Sequence, residues 1–155
     1  VIELNGQILT QSYPILRHFS RVLGNKYDGN TEDEIFFVDR LCDITIDWRS
    51  AFVNAYFSPN QKEDYEAHVK NVRGNFAFGL ERHLNESSLA QRGPYVIGEK
   101  FTYADMVIFQ VLHDEEMGKG NQKELEQYPR LKKLYKAVQG RQNVKAFLES
   151  EEYKG

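Results

Sequence analysis

Apolar residues recur along this chain in two rhythms. The first ten residues hold two short apolar runs, Val1-Ile2-Glu3-Leu4 and Gln7-Ile8-Leu9-Thr10, on either side of Asn5-Gly6. An Asn-Gly pair in that setting predicts a β-hairpin, because both positions of the tight turn need positive φ. Two strands alone are marginal in water, so the hairpin needs partners to complete its sheet. From Ser12 the rhythm changes. Ile15, Leu16, Phe19, Val22 and Leu23 recur at helical spacing, with Ser12 as predicted N-cap, Pro14 in the first turn and Gly24 as the stop.

Tyr27 to Thr31 reads as a linker, and everything after it reads as helix. Thr31 caps a long helix with Glu32, Asp33 and Glu34 in its first turn, where acids favour the dipole. Its apolar face runs through Ile35, Val38, Leu41, Cys42, Thr45, Trp48 and Phe52, and Ser58-Pro59-Asn60 breaks it. A second long helix is predicted from about Gln61 to His83, with Val69, Val72, Phe76, Leu80 and Leu84 on one face. A polar loop covers Asn85 to Gly93, followed by a connector through Gly98. Further helices start at Thr102, near Pro129 (with Leu131, Leu134, Tyr135 and Val138 inward) and near Asn143. No internal repeat interrupts this series.

Composition narrows the class. The chain has 155 residues, 41% of them hydrophobic, which is enough for one proper core. A net charge of -3 argues against nucleic acid as a partner, since such domains carry a basic excess. A single cysteine, Cys42, excludes an internal disulfide and a cysteine-rich zinc site. It lies on an apolar helix face and reads as a small buried hydrophobe. No apolar run reaches membrane-spanning length. The expectation is therefore a soluble, cytoplasmic protein with no nucleic-acid or membrane partner.

Three constellations carry candidate chemistry. Gln11-Ser12 stands where a strand meets a helix N-terminus, a ready anion site: the Ser12 hydroxyl and N–H can take one carboxylate, with Gln11 beside it. Asp39, Asp43 and Asp47 are spaced i, i+4, i+8 and form an acidic stripe, which calls for cations. Arg17 and Arg21 form a matching basic pair on the preceding helix, and the two stripes can meet across a subunit boundary or stay solvated. Thr102 and Asp105 stand in the relation of a capping box. The four histidines show no ligand spacing, and no metal site is expected. Phe52, Tyr56 and Phe57 form an aromatic group at the end of the long helix.

Taken in order, these phrases resemble the cytosolic glutathione transferase family, particularly its pi, sigma and alpha-like branch. The resemblance rests on Asn5-Gly6, Gln11-Ser12 with Ile15-Leu16-Arg17-His18, and Val38-Asp39 with Asp43 and Asp47. It continues through Ile97-Gly98-Glu99-Lys100-Phe101-Thr102-Tyr103-Ala104-Asp105, Tyr128-Pro129-Arg130-Leu131 and Val144-Lys145-Ala146-Phe147-Leu148. It implies a mainly α fold, namely the family's all-helical C-terminal domain over residues 31–155. Ahead of it, residues 1–24 would be the last β-hairpin and helix of a thioredoxin-like α/β domain, the rest of which would precede Val1. It implies glutathione as substrate, bound at its γ-glutamyl end by Gln11 and Ser12, with Asp47 reaching the α-amino group of glutathione on the neighbouring subunit. Arg17, Arg21, Asp39 and Asp43 would lie at a homodimer interface. Phe52, Tyr56 and Phe57 would wall the pocket for a small apolar electrophile.

The activity implied is attack of the glutathione thiolate on an electrophilic carbon. No residue here matches the family's thiol-activating Tyr or Ser, so the choice between those classes is not encoded in this stretch. The alternative is a non-enzymatic relative that uses the fold for structure or assembly. A divalent ion held by Asp43 and Asp47 across a two-fold axis is a weaker idea than pairing with Arg17 or Arg21.

Overall fold

The computed structural model describes residues 1–118 and 122–154. Its sheet is a two-stranded antiparallel hairpin, β1 (Ile2–Leu4) and β2 (Gln7–Leu9), paired Ile2 to Leu9 and Leu4 to Gln7. Asn5 (φ 50°) and Gly6 (φ 78°) both turn left-handed, as an Asn-Gly hairpin requires. Helix α1 (Ser12–Val22) follows. Its N-cap is Gln11 and not the expected Ser12, and no side chain caps it. The C-terminus closes as a Schellman motif. Asn25 N–H bonds Ser20 O at 2.9 Å and Gly24 N–H bonds Arg21 O at 3.0 Å, with Gly24 at φ 69°.

Helix α2 (Glu32–Tyr56) is capped by Thr31, whose Oγ1 accepts from Glu34 N–H at 3.2 Å. The linker before it packs tightly, since a Cβ on Gly29 would stand 2.4 Å from the Ile35 nitrogen. Phe37, Val38, Leu41, Cys42, Trp48 and Phe52 are buried along α2. Each such side chain withdrawn from water contributes about 1.5–3 kcal/mol.

The predicted second long helix is interrupted. Helix α3 (Gln61–His68) runs into a π-helical turn at Val69–Arg73 and resumes as α4 (Gly74–Glu86). The inserted turn shifts the inward line. His68, Arg73, Ala77, Leu80 and Leu84 are buried, while Val69, Val72 and Phe76 are only half-buried. A five-residue step from 68 to 73 breaks the 3.6-residue period on which the predicted face was drawn.

Helix α5 (Tyr103–Asp114) is the central element: Ala104, Ile108, Val111 and Leu112 are buried, and α1, α2 and α7 (Pro129–Gln139) pack around it. Short helices α6 (Gln122–Leu125), α8 (Gln142–Glu149) and α9 (Glu151–Lys154) complete the described chain. Among the described residues no helix is long and apolar enough to cross a membrane.

Thr102 and Asp105 form a capping box at the start of α5. Asp105 Oδ2 accepts from Thr102 N–H at 2.7 Å and Thr102 Oγ1 at 2.9 Å, and Oδ1 accepts from Val96 N–H at 2.7 Å. The carboxyl is wholly buried, and burial pushes its pKa up to about 6 against the hydrogen bonds, which favour its charge. The folded state therefore keeps a proton that the unfolded chain releases near 3.8. Stability is expected to fall as pH rises through this window, by about 3 kcal/mol in all, and then to level off. Urea unfolding between about pH 4 and pH 7 checks this against Asp105→Asn, which lacks the titration.

Candidate functional site

The N-terminal turn of α1 presents donors to solvent. Ser12 and Tyr13 are its first helical residues, so neither N–H has a helical acceptor, and Pro14 has no N–H to offer. Ile15 N–H begins the ladder by bonding Gln11 O at 3.1 Å. Gln11 enters the helix at φ 68°, ψ 110°, an uncommon conformation for a residue with a Cβ. Gln11 and Ser12 are both exposed. Beside them opens a cavity of about 240 Å³ lined by Ser12, Tyr13, Leu16, Arg49, Met106 and Gln110. Arg49 is held at its edge by Asp114, 3.2 Å away.

One turn along, α1 is locked to α2. Arg17 Nε donates to Asp39 Oδ1 at 2.8 Å and its terminal nitrogen to Asp43 Oδ1 at 2.9 Å. Tyr103 OH donates to the same Asp39 oxygen at 2.5 Å. Burial works against the guanidinium charge, but the hydrogen bonds to Asp39 and Asp43 outweigh it and raise the Arg17 pKa. Burial and the bond to Asp39 raise that of Tyr103. The acidic and basic stripes thus meet within one chain at these residues. Arg21 and Asp47 are exposed. Going from Asp43, bonded to Arg17, to Arg49, which shares the cavity with Ser12, α2 passes Asp47 on the way toward the start of α1.

Phe52, Tyr56 and Phe57 form a continuous aromatic cluster, tilted and edge-on, with ring centroids 5.5 Å and 5.2 Å apart. None of them lines the cavity beside Ser12. Phe52 is buried, Tyr56 is 44% exposed and Phe57 75% exposed, so the cluster has a buried footing and a free face. Tyr65 of α3 belongs to it as well, 6.1 Å from Phe52 and 5.9 Å from Tyr56. The sequence pattern missed Tyr65 because its place depends on how α3 packs on α2.

Also unforeseen is a buried polar cluster around Glu115, which accepts from Trp48 Nε1 at 2.6 Å and lies 2.6 Å from His68 Nε2. A larger cavity, about 590 Å³, lies between α1, Tyr27, Phe101 and Val144; it shares Leu16 and Met106 with the smaller one and reaches Tyr103, but none of Gln11, Ser12, Asp47, Phe52, Tyr56 and Phe57 lines it. Cys42 is buried, and burial pushes its thiol up to about 12, which unsuits it as a nucleophile. Among the described residues no group of three or more His, Cys, Asp or Glu is placed to hold a metal ion.

Comparison with known proteins gives a consistent picture. The sequence model of the family described as "Glutathione S-transferase, C-terminal domain" matches residues 46–151. "Glutathione S-transferase P 10" of Caenorhabditis elegans is 30% identical over 149 residues, covering 96% of this chain and 66% of that protein. "Glutathione S-transferase 2" of Manduca sexta is 30% identical over 153 residues, covering 97% and 72%. The solved pi-class glutathione S-transferase of Onchocerca volvulus superposes with a TM-score of 0.82 at 22% identity, covering 96% of this chain and 68% of that one. The chain thus spans about two thirds of the length of the relatives it matches.

Proposed function

Because the chain belongs to the glutathione S-transferase family, we propose that it forms the greater part of a glutathione transferase acting on small apolar electrophiles. Residues 1–24 then close a thioredoxin-like domain and residues 31–155 form the helical one. The observation that carries the reading is the first turn of α1: an exposed Ser12 hydroxyl and two backbone N–H groups without helical acceptors, set beside a cavity edged by Arg49. Such a turn suits a carboxylate. Ser12 Oγ donates to the α-carboxylate of the γ-glutamyl group, the Ser12 and Tyr13 N–H groups add to it, and the Gln11 amide flanks it.

Asp47 takes the α-ammonium of glutathione bound on a second subunit, which makes the working form a homodimer in the cytoplasm. Arg17, Asp39 and Asp43 keep α1 in register with α2, and with Arg21 they border that interface. The aromatic cluster of Phe52, Tyr56 and Phe57 receives the electrophile. Catalysis is nucleophilic: the thiolate forms the new carbon–sulfur bond while the leaving group departs with its electron pair, and the thiol proton passes to solvent. None of the residues named here is assigned the role of lowering the thiol pKa.

The test is calorimetry of glutathione binding to the full-length protein. Ser12→Ala is expected to weaken it by about 1–3 kcal/mol through loss of a charge-assisted hydrogen bond. An unchanged affinity would overturn the assignment of Ser12. No binding to the parent protein would overturn the transferase reading and favour a structural module.

A further inference from the structure

Behind the aromatic cluster lies Glu115, whose side chain has no exposed surface. Its Oε1 accepts the Trp48 indole N–H and faces His68 Nε2, each at 2.6 Å. Its Oε2 lies 3.4 Å from Arg73, which also donates to the Glu115 carbonyl at 3.2 Å and to Glu124. One carboxylate thus joins α2, the end of α3 and the π-helical turn. The turn makes the arrangement possible: the five-residue step from His68 to Arg73 brings both side chains to the inward line. An ionised carboxylate buried without such donors would be strongly disfavoured, and an apolar replacement would serve stability equally well.

The position of the donors argues for more than stability. Trp48 directly follows Asp47 in α2. The His68 ring stacks on Tyr65, with centroids 6.1 Å apart and planes 17° apart, and lies 6.3 Å from Phe52. Tyr65 in turn meets Tyr56 edge-on at 5.9 Å. The wall spans two helices, and Glu115 is bonded to both of them on a single oxygen.

Resting on the transferase reading, we propose that Glu115 is a positioning residue for the electrophile wall, acting through His68, and that Tyr65 is a further member of that wall. Glu115 fixes the spacing of α2 and α3, and with it the mutual placement of the touching rings of Phe52, Tyr56 and Tyr65, against which an aryl group would lie. It touches no substrate itself.

The test compares glutathione with its S-(2,4-dinitrophenyl) conjugate on the full-length protein. The ratio of the two dissociation constants isolates the aryl group. Glu115→Gln keeps the shape and loses the charge. His68→Phe keeps a ring against Phe52 and Tyr65 but cannot bond Glu115. Both are expected to lower the preference for the conjugate about tenfold and to leave glutathione within about twofold, because one removes the charge from the bond and the other removes the bond, at a point remote from the γ-glutamyl end. Tyr65→Ala, at a half-buried position, is expected to lower the same ratio.

Trp48 is the only tryptophan, so its emission reports the change of its partner from carboxylate to amide in Glu115→Gln without ligand. Equal losses for both ligands, or an unchanged ratio, would overturn the proposal. If one variant fails to fold, the other decides the role of Glu115 by the same ratio; loss of the fold in both would make Glu115 a stability residue and overturn the positioning role, while Tyr65→Ala decides the place of Tyr65 in the wall. A parent protein that binds neither ligand overturns the transferase reading, and the wall with it. One that binds both, with an unaltered ratio in the variants, overturns the role of Glu115 alone.

Discussion

Asp105→Ala is expected to destabilise the fold by about 3–5 kcal/mol, the range reached when a buried hydrogen-bond network is broken. The carboxylate accepts three hydrogen bonds, from Val96 N–H, Thr102 N–H and Thr102 Oγ1. Each donor is buried, and each unpaired one carries a desolvation cost of about 1–3 kcal/mol. The loss falls on the start of α5, the helix that α1, α2 and α7 surround. It also falls on the connector, because Val96 is the point where that segment is tied to α5. Asp105→Asn keeps the volume but turns one acceptor into a donor that faces other donors, so it should recover only part of the loss. Urea unfolding followed by circular dichroism measures both variants. A loss under about 1 kcal/mol for Asp105→Ala would show that the box is only a local helix start.

Half of this arrangement was legible in the sequence, and the line between the halves is physical. The bond between Thr102 and Asp105 depends on a three-residue spacing within one helix start, which the chain displays directly. The hairpin at Asn5-Gly6, the Thr31 cap and Pro129 at the head of α7 are local in the same sense. The tie from Asp105 to Val96 crosses nine residues of irregular connector, and no period marks it. The break at Val69–Arg73 was hidden for a different reason. A π-helical turn keeps the helical composition and changes only the register, so Val69, Val72 and Phe76 looked like a face.

The candidate site divides likewise. Gln11 and Ser12 were found through their place at a helix start, although the cap fell one residue earlier than the spacing suggested. The acidic stripe was visible, but its partner within the chain, Arg17, depends on how α1 lies against α2. Glu115, His68 and Trp48 are 47 and 67 residues apart, and no sequence pattern draws them together.

Glu81→Ala is expected to cost about 2–4 kcal/mol, although Glu81 lies on a helix whose pattern makes it look like an ordinary polar residue. The side chain is buried at the inner face of α4. Its Oε1 accepts from Arg130 N–H at 3.0 Å and Asn85 at 3.1 Å, and its Oε2 accepts from Leu131 N–H at 2.9 Å. These N–H groups belong to the first turn of α7, which receives no cap from its own N-cap residue, Tyr128. The α4 carboxylate therefore supplies from a distance what Thr102 and Asp105 supply locally for α5.

The Arg130 side chain extends the same structure, donating to Ala90 O, Pro94 O and Tyr95 O at 2.8–2.9 Å. Burial lowers the Arg130 pKa, while the charges of Glu81 and Asp105 support its proton. Two carboxylates and one guanidinium thus hold α4, α5, α7 and the connector together. The single variants should not be additive. Once Glu81→Ala has freed the head of α7, Arg130→Ala has less left to break, and the coupling is expected to exceed about 1 kcal/mol. Unfolding of the two single variants and the double variant gives that coupling. Additivity within about 0.5 kcal/mol would mean that the cap of α7 and the clamp on the connector are separate devices.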